Sequence, residues 1–167
     1  MNRKMVVFLQ ALLILTFCLS TPAAAHLGGG GRNSGNFGIG LGGGTIAHGL
    51  SLKQFAGPTA IQGNLGCYRE KWSGCSGIAG SVDLLFNMPA LTQGPALSLA
   101  WNFGGGLGVG LASDKMQAAA AFVLGLEFNF HVLPIDIVIE WRPQLSIIPG
   151  VGVHPFGATA HVRLYVF

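Results

Sequence analysis

Two glutamates on neighbouring segments of the chain have the types and spacing that acid–base chemistry needs. A hairpin between Glu127 and Glu140 would bring their side chains diagonally close on adjacent strands. Two carboxyl groups whose pKa values are pushed apart can act as general acid and general base. The alternative is that both are counter-ions for Lys53, Arg142 and Arg163. Because the sequence implies no substrate-sized cleft, we favour the counter-ion interpretation.

A second candidate centre places a hydroxyl near an imidazole, at Ser51 and His48. Both residues lie at the edge of a predicted loop, without an evident acid to orient the imidazole. A nucleophile needs a base that is itself held in position. We therefore predict that the chain is not an enzyme and that it holds neither a metal nor a cofactor.

The first 25 residues have the composition of a secretory signal peptide. Arg3 and Lys4 are followed by an apolar run and by small residues that end at Ala25, which is typical of a cleavage site. A membrane anchor is the alternative, but the run is shorter than the ~20 residues of a helical span. Removing Arg3 and Lys4 lowers the formal charge from +3 to +1. No basic patch remains, and we predict no nucleic-acid partner.

Removal of the signal peptide also determines how many cysteines remain in the protein. Cys18 leaves with the signal peptide, and Cys67 and Cys75 remain. An even pair in an oxidising compartment predicts a disulfide. Closing a ring from Cys67 to Cys75 would stabilise the fold by roughly 2.5 kcal/mol on the chain-entropy model. The alternative is two free, buried thiols.

The composition excludes two common classes of protein. Half of the 167 residues are apolar and only 9% are charged. The surface of a soluble domain usually contains about 25–35% charged residues, and a disordered chain combines low hydrophobicity with high charge. The chain is therefore neither an ordinary soluble domain nor disordered.

Apolar and small residues alternate along most of the chain after the signal peptide. From Leu97 to Leu111 the odd positions are mostly large and apolar, and the even positions are Ser, Ala, Asn and Gly. Alternation with period two predicts strands with two different faces. Short connections rich in Gly and Pro fit antiparallel hairpins. The predicted strands cover 36–45, 49–56, 59–68, 78–88, 97–111, 122–130, 135–147 and 156–167.

Eight such strands predict an all-β fold, an antiparallel up-and-down barrel. We assign 1–25 to the signal peptide, 26–35 to a Gly-rich flexible lead-in and 36–167 to the barrel. In a soluble barrel the polar face would carry many Lys and Glu, but here it consists mainly of Gly, Ala, Ser and Asn. The large apolar face suits lipid better, which indicates a transmembrane barrel.

The charged residues within the strands share the small-residue face. Charges enclosed in a narrow barrel need partners, and three bases with three acids can supply them. Asp136 lies at a strand start, where we expect interfacial water to reach it. The predicted lumen network comprises Lys53, Asp83, Glu127, Glu140, Arg142 and Arg163.

A motif near the C-terminus resembles small OmpA-type outer-membrane barrels. The segment from Pro134 to Pro149 contains Glu140 and Pro143 in a P-x5-E-x2-P-x5-P pattern, which is similar to that of an uncharacterised family. The resemblance implies an eight-stranded barrel in a Gram-negative-type outer membrane, without a known reaction, cofactor or substrate.

The end of the chain resembles the signal that the outer-membrane barrel assembly machinery recognises, with Tyr165 and Phe167 as its aromatic residues. One departure is that His161 and Arg163 occupy the alternate positions before Tyr165, where the family has apolar residues. Either the two aromatic residues turn from the lipid face after a local irregularity, or the signal is poor.

We predict a monomer in the outer membrane with both termini in the periplasm, in contact with lipid. Its function would be structural or interactive, without catalysis. The alternatives are a narrow channel, a small lipid-modifying enzyme and a soluble periplasmic ligand-binding barrel. The predicted external loops are 45–48, 69–74, 112–116 and 149–155. The candidate contact loop for a partner contains Arg69, Glu70, Lys71 and Trp72.

Overall fold

The computed structural model describes residues 35–69, 74–112 and 115–166. The predicted signal peptide, nearly all of the lead-in, Phe167 and the contact-loop residues Glu70, Lys71 and Trp72 lie outside these ranges. Within these ranges the structure contains no helix long and apolar enough to cross a membrane.

The regular structure of the described residues consists entirely of β-strands. Alternating large and small side chains favour the extended backbone, in which successive residues point to opposite faces. The eleven strand segments are β1 (Phe37–Gly43), β2 (Ala47–Ala56), β3 (Thr59–Arg69), β4 (Cys75–Asn87), β5 (Thr92–Gln93), β6 (Leu97–Ala112), β7 (Lys115–Phe130), β8 (Ile135–Trp141), β9 (Gln144–Ile148), β10 (Gly152–His154) and β11 (Ala158–Val166).

The sheet closes on itself. Each neighbouring pair is antiparallel, and β1 pairs with both β2 and β11. Segments β8 and β9 occupy one position around the barrel, and β10 and β11 occupy the next, while β5 only folds back onto β6. The predicted eight-stranded antiparallel barrel is therefore confirmed.

Pro143 interrupts one of the eight strands. Strand β7 pairs with β8 as far as Trp141 and with β9 from Gln144. Proline has no N–H to donate to a ladder, but the carbonyl of Pro143 still accepts a hydrogen bond from the Phe122 N–H at 3.1 Å. The strand thus continues past the break and keeps the barrel closed.

The tallest part of the wall is the β6–β7 hairpin, in which each strand has 16 residues. Strand β7 begins at Lys115, so the predicted connection 112–116 is shorter than expected. At the opposite extreme, β1 has only 7 residues. The barrel is therefore much taller on one side than on the other.

The burial of side chains is the reverse of that in a soluble protein. The largest fully buried side chains include Arg142, Arg163 and Lys53, residue types that are almost never fully buried unless paired. Large apolar side chains lie outside, with Leu41 70% and Leu107 65% exposed. Among the described residues, buried apolar side chains form small clusters, such as Ala47 with Tyr68 and Ala79, and Ala60 with Leu85 and Val123.

Candidate functional site

The candidate site is the polar interior of the barrel, because all six residues of the predicted network lie there. Each is at most 4% exposed. They come from five of the eight barrel strands, since Glu140 and Arg142 share one, and the period-two alternation points all of them inward. They are Lys53, Asp83, Glu127, Glu140, Arg142 and Arg163.

Arg142 is the centre of the first group within this network. Its Nη1 and Nη2 donate to the two carboxylate oxygens of Asp83 at 3.0 and 2.7 Å, a bidentate pair. Its Nε donates to Glu140 Oε2 at 2.7 Å. A Cβ atom on Gly106 would collide with the Asp83 carboxylate. Glycine at that position therefore makes room for the ion pair.

The second ion pair joins Lys53 to Glu127. Asn102 Nδ2 also donates to Glu127 Oε1, at 2.6 Å. The Lys53 ammonium lies 4.7 Å from the centre of the Phe55 ring, a cation–π contact. Opposite, a Cβ atom on Gly125 would lie 2.7 Å from the Asn102 side chain. The small residues of the inner face thus fit individual polar side chains.

The third group surrounds Asp136, and here the expectation of water contact is wrong. Asp136 is 0% exposed. Its Oδ2 accepts hydrogen bonds from Arg163 Nη1 at 3.3 Å and from the Tyr165 hydroxyl at 2.7 Å. Asp136 occupies an even position, like Glu140 and Arg142, so its side chain lies on the same inner face. This alternation determines its environment more strongly than its place at the start of the strand does. With Asp136 inside, four enclosed acids face one lysine, two arginines and His161, so the predicted set of three acids and three bases was incomplete.

Tyr165 is only 5% exposed and lies in the lumen. It continues the inner face that already carries His161 and Arg163, so no local irregularity turns it towards the outside. Its hydroxyl bond to Asp136 and its ring contact with Phe55, with centroids 6.0 Å apart, give it a structural role.

Ser51, His161 and Glu140 form a hydrogen-bonded chain that the sequence did not reveal. Ser51 Oγ is 2.9 Å from His161 Nδ1, and His161 Nε2 is 2.9 Å from Glu140 Oε2. These are the groups of a hydrolase triad. However, each residue is at most 1% exposed, and Arg163 Nε also donates to Ser51 Oγ at 3.0 Å. In this arrangement the hydroxyl is enclosed and shared with Arg163, and the hydrogen-bonded chain joins β2, β11 and β8 inside the barrel.

Gln62 is a second residue that the sequence analysis missed. Its Nε2 donates to Asp83 Oδ2 at 3.0 Å and to Glu140 Oε1 at 3.1 Å, and its Oε1 accepts from Arg163. Gln62 therefore links the group around Arg142 to the group around Asp136. Its inward parity on β3 was the available signal.

The turn between β1 and β2 departs from the predicted external loop 45–48. Gly43, Gly44, Thr45 and Ala47 are all buried. Arg142 Nη1 donates to Thr45 Oγ1 at 3.2 Å, so the turn contacts the lumen network directly. It points into the barrel rather than away from it.

The disulfide between Cys67 and Cys75 is present and joins β3 to β4, with their Cα atoms 5.4 Å apart. It lies at the base of the predicted contact loop. Glu70, Lys71 and Trp72 are outside the described residues, and Arg69 is described only as the last residue of β3.

No three metal-binding side chains come together within the described part of the chain. Comparisons of the chain with protein-family models, with curated proteins and with solved structures found no match. The resemblance to OmpA-type barrels therefore stays a prediction.

Proposed function

We propose that this protein is an integral barrel of the outer membrane with a structural or interactive role in the cell envelope and no catalytic activity. The observation that carries the proposal is the reversed polarity of the barrel. Its ionised side chains are enclosed, whereas leucine, isoleucine and phenylalanine side chains cover the outside.

The outer wall supports contact with lipid. In the middle of β7, Phe122, Leu124 and Leu126 are exposed, while the residues between them are buried. A soluble monomer rarely exposes contiguous apolar patches larger than a few hundred Å², but here the apolar surface surrounds the barrel. A tilted transmembrane strand needs about 9–11 residues, and most of the eight strands reach this length.

The interior supports a closed barrel in preference to a channel. Eight strands enclose a space that side chains just fill, and each charged side chain there is held by at least one partner. Removing one member of a buried pair leaves an uncompensated charge. Conduction would require several of these pairs to separate together.

The proposal includes lipid as the surrounding partner, a monomeric state, and assembly by the machinery that inserts barrels. Tyr165 is enclosed in the folded protein, so it would be recognised before the barrel closes. The residues of the contact loop remain the proposed surface for a protein partner.

Fractionation of a Gram-negative envelope that expresses the full chain tests this proposal. We expect the protein in the outer-membrane fraction, resistant to alkaline carbonate, and migrating faster on a gel before boiling than after it. A lipid-embedded barrel resists detergent at room temperature because its backbone hydrogen bonds are all internal. Release by osmotic shock without detergent would instead support the soluble periplasmic barrel.

A further inference from the structure

We propose that the β1–β2 turn, residues 43–47, is a displaceable plug that closes one mouth of the barrel. This mouth is the end at which the β1–β2, β3–β4, β6–β7 and β9–β10 connections lie. The inference concerns the barrel itself and does not depend on which membrane contains it.

The tip of the turn is enclosed by the barrel wall. Thr45 is 0% exposed although it lies at the end of a hairpin, a place where residues are normally solvated. The Gly44 N–H donates to the Ala47 carbonyl at 2.7 Å, which makes the turn tight. A Cβ atom on Gly44 would collide with Ser81 Oγ of the opposite wall. The turn therefore fills the lumen at this level.

The glycines of β6 provide the space for the plug. A Cβ atom on Gly108 would collide with the Thr45 carbonyl oxygen. One on Gly110 would lie 2.9 Å from the Tyr68 ring and 3.4 Å from Ile46 Cδ1. Small residues are expected inside any narrow barrel, but the space that these two leave is occupied by Thr45 and bordered by Ile46 of the turn itself. The wall is shaped to receive the turn.

The plug can leave its place without breaking an ion pair. Ile46 has φ of 58°, in the left-handed region where a β-branched residue is strained. Departure of the turn would remove one hydrogen bond from Arg142, which would keep Asp83 and Glu140 as partners. No buried charge would lose its counter-ion. Movement of Lys53 or Asp83, by contrast, would break an ion pair.

Cysteine labelling in the full-length, folded protein tests this inference. The variant Thr45→Cys, which also carries Cys18→Ser, is treated with a membrane-impermeant maleimide, to which the disulfide-bonded Cys67 and Cys75 do not react. Val151→Cys is the exposed reference, since Val151 is 83% exposed. Because labelling of a buried site follows the population of its open state, we expect Thr45→Cys to react at least about tenfold more slowly than Val151→Cys.

The matched pair Gly108→Val and Gly105→Val then tests displacement, each combined with Thr45→Cys. Valine at Gly108 must push the turn away, whereas a Cβ on Gly105 has the Ala121 carbonyl oxygen as its nearest neighbour, at 3.5 Å. We expect only Gly108→Val to raise the labelling rate, by about tenfold or more. Gly44→Ala is the second displacing variant if Gly108→Val does not fold, since a Cβ atom on Gly44 would collide with Ser81 Oγ.

Two results would contradict the proposal that the turn is a displaceable plug. One is labelling of Thr45→Cys as fast as that of Val151→Cys in the otherwise unchanged protein. The other is slow labelling that neither Gly108→Val nor Gly44→Ala accelerates in a barrel whose gel migration still changes on heating. The heat-dependent migration reports folding separately, so failure of the plug is distinguishable from failure of the membrane assignment.

Discussion

Replacing Arg142 with methionine is expected to lower the free energy of unfolding by about 3–5 kcal/mol, the usual cost of removing one partner of a buried ion pair. Arg142 is 0% exposed and bonds both Asp83 and Glu140. Methionine fills much of the same volume, so the loss of stability comes from the carboxylates of Asp83 and Glu140, which remain enclosed without the guanidinium that neutralises them. A urea titration in lipid vesicles, followed by tryptophan fluorescence, measures the effect.

Two controls separate the ion pairs from the size of the side chain. Lys115→Met removes an exposed cation at the start of β7 and is expected to have no measurable effect. Adding Asp83→Asn and Glu140→Gln to Arg142→Met removes the stranded charges and is expected to recover most of the lost stability. If Arg142→Met alone were as stable as the unchanged protein, the network would not hold the barrel together.

Placing arginine on the outer wall, as Leu124→Arg, is expected to destabilise the protein by about 2–4 kcal/mol in a bilayer, since a charge near the midplane must lose its hydration. Leu124 lies within β7 and is 38% exposed. The same vesicle titration gives the change in the free energy of unfolding.

Val132→Arg is the matched control for Leu124→Arg. Val132 lies in the turn after β7 and is 80% exposed, so the new charge reaches water and costs only about 0–1 kcal/mol. In a soluble barrel both positions would face water and both substitutions would be tolerated. Equal, small effects of the two arginines would therefore contradict a lipid-facing wall.

The strands and their inner faces were predictable because each strand keeps one register of large and small residues. Strand β6 alternates from Leu97 to Leu111, and the structure pairs it with β7 along its whole length. A one-residue slip would exchange the two faces, so the sequence defines which residues lie inside. The positions of Lys53, Glu127 and Arg142 follow from that parity alone.

The contacts within the lumen were not predictable, because they join residues far apart in sequence. Ser51 bonds His161, which lies 110 residues away, whereas the sequence suggested the nearby His48. The direction of the β1–β2 turn depends on Gly108 and Tyr68 on other strands. The residue types within a turn do not show whether the turn points into the barrel or away from it.

Site-directed spin labelling along β7 in lipid vesicles measures directly what the outer wall touches. Single cysteines at Phe122, Leu124 and Leu126 carry the label, and Val123 is the inward control. We expect the three outward positions to collide often with oxygen, which concentrates in hydrocarbon, and rarely with a water-soluble nickel complex, while Val123 meets little of either. Frequent collisions of the nickel complex with all three outward positions would show that the apolar wall faces water and would contradict the membrane barrel.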